Sequence, residues 1–132
     1  MCGIIGYVGP AAPVPILLDG LTRLEYRGYD SAGLAISTGT DLRIVKVAGR
    51  VADLRAAADD ELDRAVDPTH VAGIAHTRWA THGAPTVANA HPHVDTAQRL
   101  AVVHNGIIEN AEQMRAKLQA EGVVFRSDTD TE

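Results

Sequence analysis

Apolar positions along this chain come in short runs, and the spacing inside each run sorts them into strands and helices. Residues 2–8 alternate small and large apolar side chains and end at Gly9-Pro10, which predicts a buried strand followed by a turn. Ile16, Leu17, Leu21 and Leu24 then recur at helical spacing between Val14 and Tyr26. Pro13 and Pro15 fall in the first turn, where backbone N–H groups have no intrahelical partner to lose. The polar, glycine-punctuated stretch 26–33 reads as a loop into a strand at Leu34-Ala35-Ile36, with a second hairpin strand from Asp41 to Ala48. Val51 to Val66, rich in Ala, Leu and charge, predicts a surface helix stopped by Pro68. Val71 to Thr77 predicts another short buried strand. From there to His93 no period holds, so a long loop is expected, and long ordered loops in compact domains are often functional. Leu100 to His104 predicts a strand, Asn105-Gly106 a turn and Ile107-Ile108 a brief resumption. Asn110 and Gln113 signal the start of a helix from Ala111 to Glu121, Gly122 its stop, and Val123-Val124-Phe125 a last strand.

At 132 residues, 45% of them hydrophobic, the chain has the size of one domain and enough apolar surface for a core. No internal repeat, low-complexity tract or linker divides it. Twelve basic against 17 acidic residues leave a net charge of -5, which argues against nucleic acid or an anionic membrane as partner. No window approaches the roughly 20 apolar residues of a membrane span. No Lys or Arg precedes Arg23, as a secretory leader would require, so a soluble protein without a signal peptide is expected. The single cysteine excludes an intramolecular disulfide and fits a reducing compartment, with the cytoplasm as the expected setting. Residues 127–132 read as a loop opening into a further helix, so the chain is expected to be a fragment.

Candidate chemistry starts at that cysteine. Removal of Met1 would leave a thiol and a free α-amine on Cys2, a nucleophile beside a base. A free thiol titrates near about 8.5 and a chain-terminal amine near about 7.7 to 8.0, so the amine can accept the proton close to neutral pH. The competing reading is a small apolar side chain in a strand. Asn105-Gly106 is a strong hairpin signal. The same two residues can also aim a side-chain amide and a backbone N–H at a developing oxyanion. Arg78 and His82 fit a solvated loop, or a rigid one in which Arg78 grips a carboxylate through two parallel hydrogen bonds. Trp79, in the same loop, fits a lid or a core anchor. His91-Pro92-His93 invites a metal site, but zinc normally needs three or four protein ligands. Gly3, Gly6 and Gly9 have the wrong spacing for a dinucleotide fingerprint, and Pro10 follows where a helix should open.

Several segments together resemble one family. They are Cys2-Gly3-Ile4-Ile5-Gly6-Tyr7, Leu24 to Gly33, Ala75 to Gly83, Asn89-Ala90-His91-Pro92-His93, Val102 to Asn110 and Asp128-Thr129-Asp130-Thr131-Glu132. This set resembles the class II glutamine amidotransferases, whose glutaminase domain begins with a catalytic cysteine. Tyr26-Arg27-Gly28-Tyr29-Asp30 and Arg78-Trp79-Ala80-Thr81-His82 are similar to the sugar-phosphate branch of that class rather than to its purine branch. The resemblance implies Cys2 as nucleophile, its freed amine as base, and Asn105 and Gly106 as the oxyanion hole. It implies that Arg78 binds the α-carboxylate of L-glutamine and Asp130 its α-ammonium. Trp79, Thr81 and His82 would lie along the substrate loop, with Arg27 and Gly28 packed against the nucleophile. The implied fold is α+β, a four-layer αββα sandwich of antiparallel sheets typical of N-terminal-nucleophile hydrolases, with only part of that domain in residues 1–132. The implied reaction is hydrolysis of glutamine to glutamate and ammonia, with no cofactor and no metal. Fructose 6-phosphate would be engaged only through isomerase domains absent from this chain, in a homodimeric full-length protein. Two other readings stay open at this point, a catalytically silent, self-associating piece of the domain and a hydrolase of some other amide.

Overall fold

The structure is a computed structural model that describes residues 2–39, 41–62, 71–80 and 83–132. Among the described residues six strands and three helices follow in the order β1 (Gly3–Gly9), α1 (Pro13–Leu24), β2 (Ser31–Ser37), β3 (Leu42–Val47), α2 (Val51–Leu62), β4 (Val71–Arg78), β5 (His93–Val94), β6 (Ala101–Val102) and α3 (Ala111–Ala120). A single 3-10 turn, Glu25–Arg27, follows α1. β1, β4, β2 and β3 form one antiparallel sheet in that spatial order, and β5 pairs with β6. The expected α+β architecture with antiparallel sheets is therefore present.

α1 and α2 cover one face of the large sheet. Leu17, Leu18 and Leu21 of α1 meet Leu34 and Ile36 of β2, Val45 of β3, and Val51, Leu54 and Ala58 of α2 in one buried cluster. Each fully buried Leu or Ile in it contributes about 1.5–3 kcal/mol of transfer free energy. The apolar stripe of α1 is rotated from the expected one, since Leu18 is buried and Ile16 is 39% exposed. α2 is no plain surface helix, because Val51, Leu54 and Ala58 recur on its inner face. The Glu25 carboxylate, from the 3-10 turn after α1, caps it by accepting the Val51 N–H at 2.9 Å. The expected end of that helix near Val66 and its stop at Pro68 lie outside the described residues.

Several expectations fail in the chain beyond β5. The strand Leu100 to His104 shortens to Ala101–Val102, and no strand resumes at Ile107-Ile108. Asn105-Gly106 forms no hairpin: the Ile108 N–H donates to the Asp130 carboxylate at 2.7 Å instead of to a strand partner. Val123-Val124-Phe125 forms no strand either. The Val123 N–H closes the end of α3 on the Leu118 carbonyl, and the Gly122 N–H closes on Gln119, with Gly122 at φ +92. At the start of α3, the Asn110 side chain makes no capping bond, although Gly122 stops the helix as expected.

Candidate active site

Strand alternation decides which side chains reach the uncovered face of the sheet. Ile5 and Tyr7 of β1 pack on the helix-side core, so Cys2 and Ile4 point the opposite way. On β4, Ala75 belongs to the core, so His76 and Arg78 share the face of Cys2. The register sets His76 opposite Ile4 on β1 and Gly33 on β2, and Arg78 opposite Ser31. Thr77 Oγ1 accepts the Gly3 N–H at 3.1 Å and fixes the chain just after Cys2. The Trp79 N–H donates to Cys2 Sγ at 3.4 Å, a backbone donor aimed at the thiol.

Cys2, Asn105 and Gly106 line one cleft of about 390 Å³, with Arg27, Arg78, Trp79 and Asp130. Asn105 Nδ2 donates to the Cys2 carbonyl oxygen at 3.1 Å, and Asn105 Oδ1 lies 2.9 Å from His76 Nε2. Thr129, Asp130 and Thr131 also line the cleft, in a segment from Ser127 to Glu132 that is pinned at several points. The Arg126 and Ser127 N–H groups both donate to the Glu132 carboxylate, Asp128 and Asn89 exchange two hydrogen bonds, and Arg115 donates to the Thr129 carbonyl. Asp130 is thereby held with its carboxylate on the Ile108 N–H, two residues past Gly106.

Arg78 is only 5% exposed, and its guanidinium donates to the Ala84 carbonyl at 3.2 Å, drawing the loop beyond β4 against the cleft. Asn89 Nδ2 donates to the same carbonyl at 3.0 Å. Asp30 holds the other side of that loop by accepting the Ala80 N–H. Trp79 is half exposed at 49% and meets the Tyr29 ring edge to face at 5.9 Å. Arg27 reaches the cleft, whereas Gly28 closes the 3-10 turn on the Glu25 carbonyl and does not line it. Thr81 and His82 lie outside the described residues.

Sequence reasoning missed three members of this neighbourhood. His91 and His104 line the cleft, and fully buried His76 stands behind Asn105. The rings of His76 and His91 lie 4.3 Å apart at a tilt of 47°, and those of His91 and His93 meet edge to face at 4.6 Å. A Cβ on Gly33 would collide with the His91 carbonyl, so glycine there lets this segment lie directly on β2. Burial pushes His76 and His93 down to about 4 and His91 to about 2, so all three are neutral near pH 7. Among the described residues no group of three His, Cys, Asp or Glu side chains is arranged to hold a metal ion. The available signal was the density of histidines in Ala75-His76-Thr77 and His91-Pro92-His93, but spacing alone did not reveal that their rings meet. The site thus combines a thiol, an amide donor, a guanidinium and a carboxylate in one cleft.

A family model described as a glutamine amidotransferase domain matches residues 53–132. Over the whole chain, identity is 55% to a protein of Symbiobacterium thermophilum and 54% to proteins of Chlamydia abortus and Streptomyces coelicolor. All three are named glutamine--fructose-6-phosphate aminotransferase [isomerizing], and the chain spans 21% of the length of each. Among solved structures, the allosteric regulatory enzyme of purine biosynthesis superimposes with a TM-score of 0.78 at 28% identity, over 99% of this chain and 28% of that one. The glutamine phosphoribosylpyrophosphate amidotransferase from B. subtilis gives 0.71 at 28% identity, over 98% and 27%. Among the described residues no helix is long and apolar enough to cross a membrane. The domain model and the relatives agree with the motifs read from the sequence, and the chain belongs to the glutamine amidotransferase domain family.

Proposed function

We propose that this domain hydrolyses the side-chain amide of L-glutamine with Cys2 as nucleophile. The observation that carries the reading is the convergence of Cys2, Asn105, Gly106, Arg78 and Asp130 on one cleft. With Met1 removed, the α-amine of Cys2 takes the thiol proton, and the sulfur adds to the carboxamide carbon. Asn105 Nδ2 and the Gly106 N–H hold the resulting oxyanion. The C–N bond then breaks, and the protonated amine returns its proton to the departing ammonia. Water adds to the thioester, the C–S bond breaks, glutamate leaves and the thiol is restored. Arg78 and Asp130 supply opposite charges for the α-carboxylate and α-ammonium of a free amino acid, which would fix its amide before attack and exclude glutamine side chains within proteins. Thr81, His82 and Trp79 complete the substrate loop in this reading, and Arg27 and Gly28 back the nucleophile.

The relatives' shared name supports a second step in the full-length protein, the use of the ammonia to aminate fructose 6-phosphate. The sugar would be bound by isomerase domains beyond this chain, which would form the N-terminal side of a larger glutaminase domain. A reactive thiol fits a cytoplasmic setting.

The test is ammonia release from glutamine by the full-length protein and its Cys2→Ala variant. Loss of glutamine hydrolysis, with amination from added ammonia retained, is the expected result. Unchanged hydrolysis in the variant would sink the proposal, and a preference for asparagine or simple amides over glutamine would reassign the substrate.

A further inference from the structure

His76 has no part in the reaction as set out, yet it is fully buried and touches the amide assigned to the oxyanion. A side-chain amide keeps its shape when turned end for end, so only its partners decide which end faces where. Asn105 has two such partners, the Cys2 carbonyl oxygen at 3.1 Å and His76 Nε2 at 2.9 Å. A carbonyl oxygen accepts and cannot donate, so the end facing Cys2 is the NH2. The other end is then the amide oxygen, which only accepts, so His76 Nε2 carries the proton. The imidazole is itself held firmly. Its backbone sits in the ladder between Ile4 and Gly33, its ring meets the tilted His91 ring at 4.3 Å, and His91 meets His93, whose Nε2 lies 2.7 Å from Thr129 Oγ1.

We propose that His76 is a positioning residue of the oxyanion hole, its Nε2–H locking the Asn105 amide with the NH2 toward the nucleophile. The inference rests on the reading of Asn105 as an oxyanion donor. Turned the other way, Asn105 would present an oxygen to the developing negative charge. Because that charge exists only in the transition state, the effect of His76 belongs on kcat and not on KM.

In the full-length protein, His76→Phe keeps a flat ring in the cluster and removes the donor. Glutaminase kcat is expected to fall about 10- to 100-fold with KM within about threefold. His76→Gln, which can offer an N–H to Asn105 Oδ1, is expected to recover most of the loss. In an Asn105→Ala background the same His76→Phe change should cost less than about twofold, because the two residues act as one unit. An equal loss in both backgrounds, or no loss from His76→Phe alone, overturns the inference. Neutron diffraction from the parent protein gives a reading that needs no variant: deuterium on His76 Nε2 supports the inference, and a bare Nε2 overturns it. An Asn105→Ala protein with full kcat would overturn the oxyanion reading as well. A damaging Asn105→Ala together with a harmless His76→Phe removes only the role of His76.

Discussion

Cys2 gains its base only by losing Met1, because an acylated nitrogen has no lone pair available for the thiol proton. A protein with Met1 still attached is therefore expected to hydrolyse no glutamine at all, and steady-state ammonia release from material shown by intact mass to retain Met1 would contradict this. If Asn105 donates to the oxyanion as proposed, Asn105→Ala should lower kcat about 100- to 1000-fold. Arg78→Lys keeps the charge and loses the two-pronged grip, so KM for glutamine should rise about tenfold or more. Equal KM in the two proteins would remove Arg78 from substrate binding. Cys2, Arg78 and Asn105 stood out in the sequence by their own chemistry, whereas Asp130, flanked by Asp128 and Glu132, stood out only through the family resemblance. His76 was not legible in this sense: inside an apolar strand it reads as core, and its value lies in an amide that approaches it from a residue 29 positions away.

Elements were readable where local pattern and tertiary demand agree. β1 alternates clearly, β4 is the expected short buried strand, and the glycine stop of α3 appears as a positive-φ turn with both closing hydrogen bonds. The misses arise where backbone N–H groups are claimed by partners other than a neighbouring strand. The Ile108 N–H serves Asp130 and the Val123 N–H closes α3 on Leu118, so neither group is left for a strand partner. Asn105-Gly106 carries hairpin chemistry in sequence, but the Asn side chain is committed to Cys2 and His76. Two stability predictions belong at this scale. Leu21→Ala, at a position with no exposure, should cost about 2–5 kcal/mol in denaturant unfolding. Glu25→Ala removes the cap on α2 and should cost about 0.5–2 kcal/mol. A change within error for Leu21→Ala would mean that α1 does not pack on β2 as described.

For the whole molecule, the clustered histidines tie folding to pH. His76 and His93 are held near 4 by burial, below the ordinary value near about 6.5, so the unfolded chain binds more protons than the folded one as pH drops between them. Their contribution to stability is complete above about 6.5 and is lost as pH falls toward 4. The melting temperature should decline steadily across that window, and His76→Gln should soften the decline. A flat profile from pH 7 to 5 would contradict the buried, neutral state of the cluster. The cluster packs the segment at His91 and His93 against β4, and through Thr129 it reaches the wall that carries Asp130. Loss of folding and loss of the cleft in acid are thus expected to coincide.

The central claim is that a processed Cys2 attacks a glutamine side chain in this cleft. Its most direct test is covalent capture in the full-length protein, using a glutamine analogue whose side-chain amide is replaced by a diazoketone, followed by peptide mass spectrometry. The account predicts one adduct, of the analogue less N2, on the sulfur of an N-terminal Cys2, suppressed by excess glutamine and reduced in Arg78→Lys. Labelling elsewhere, or labelling of Cys2 that glutamine does not suppress, would contradict it.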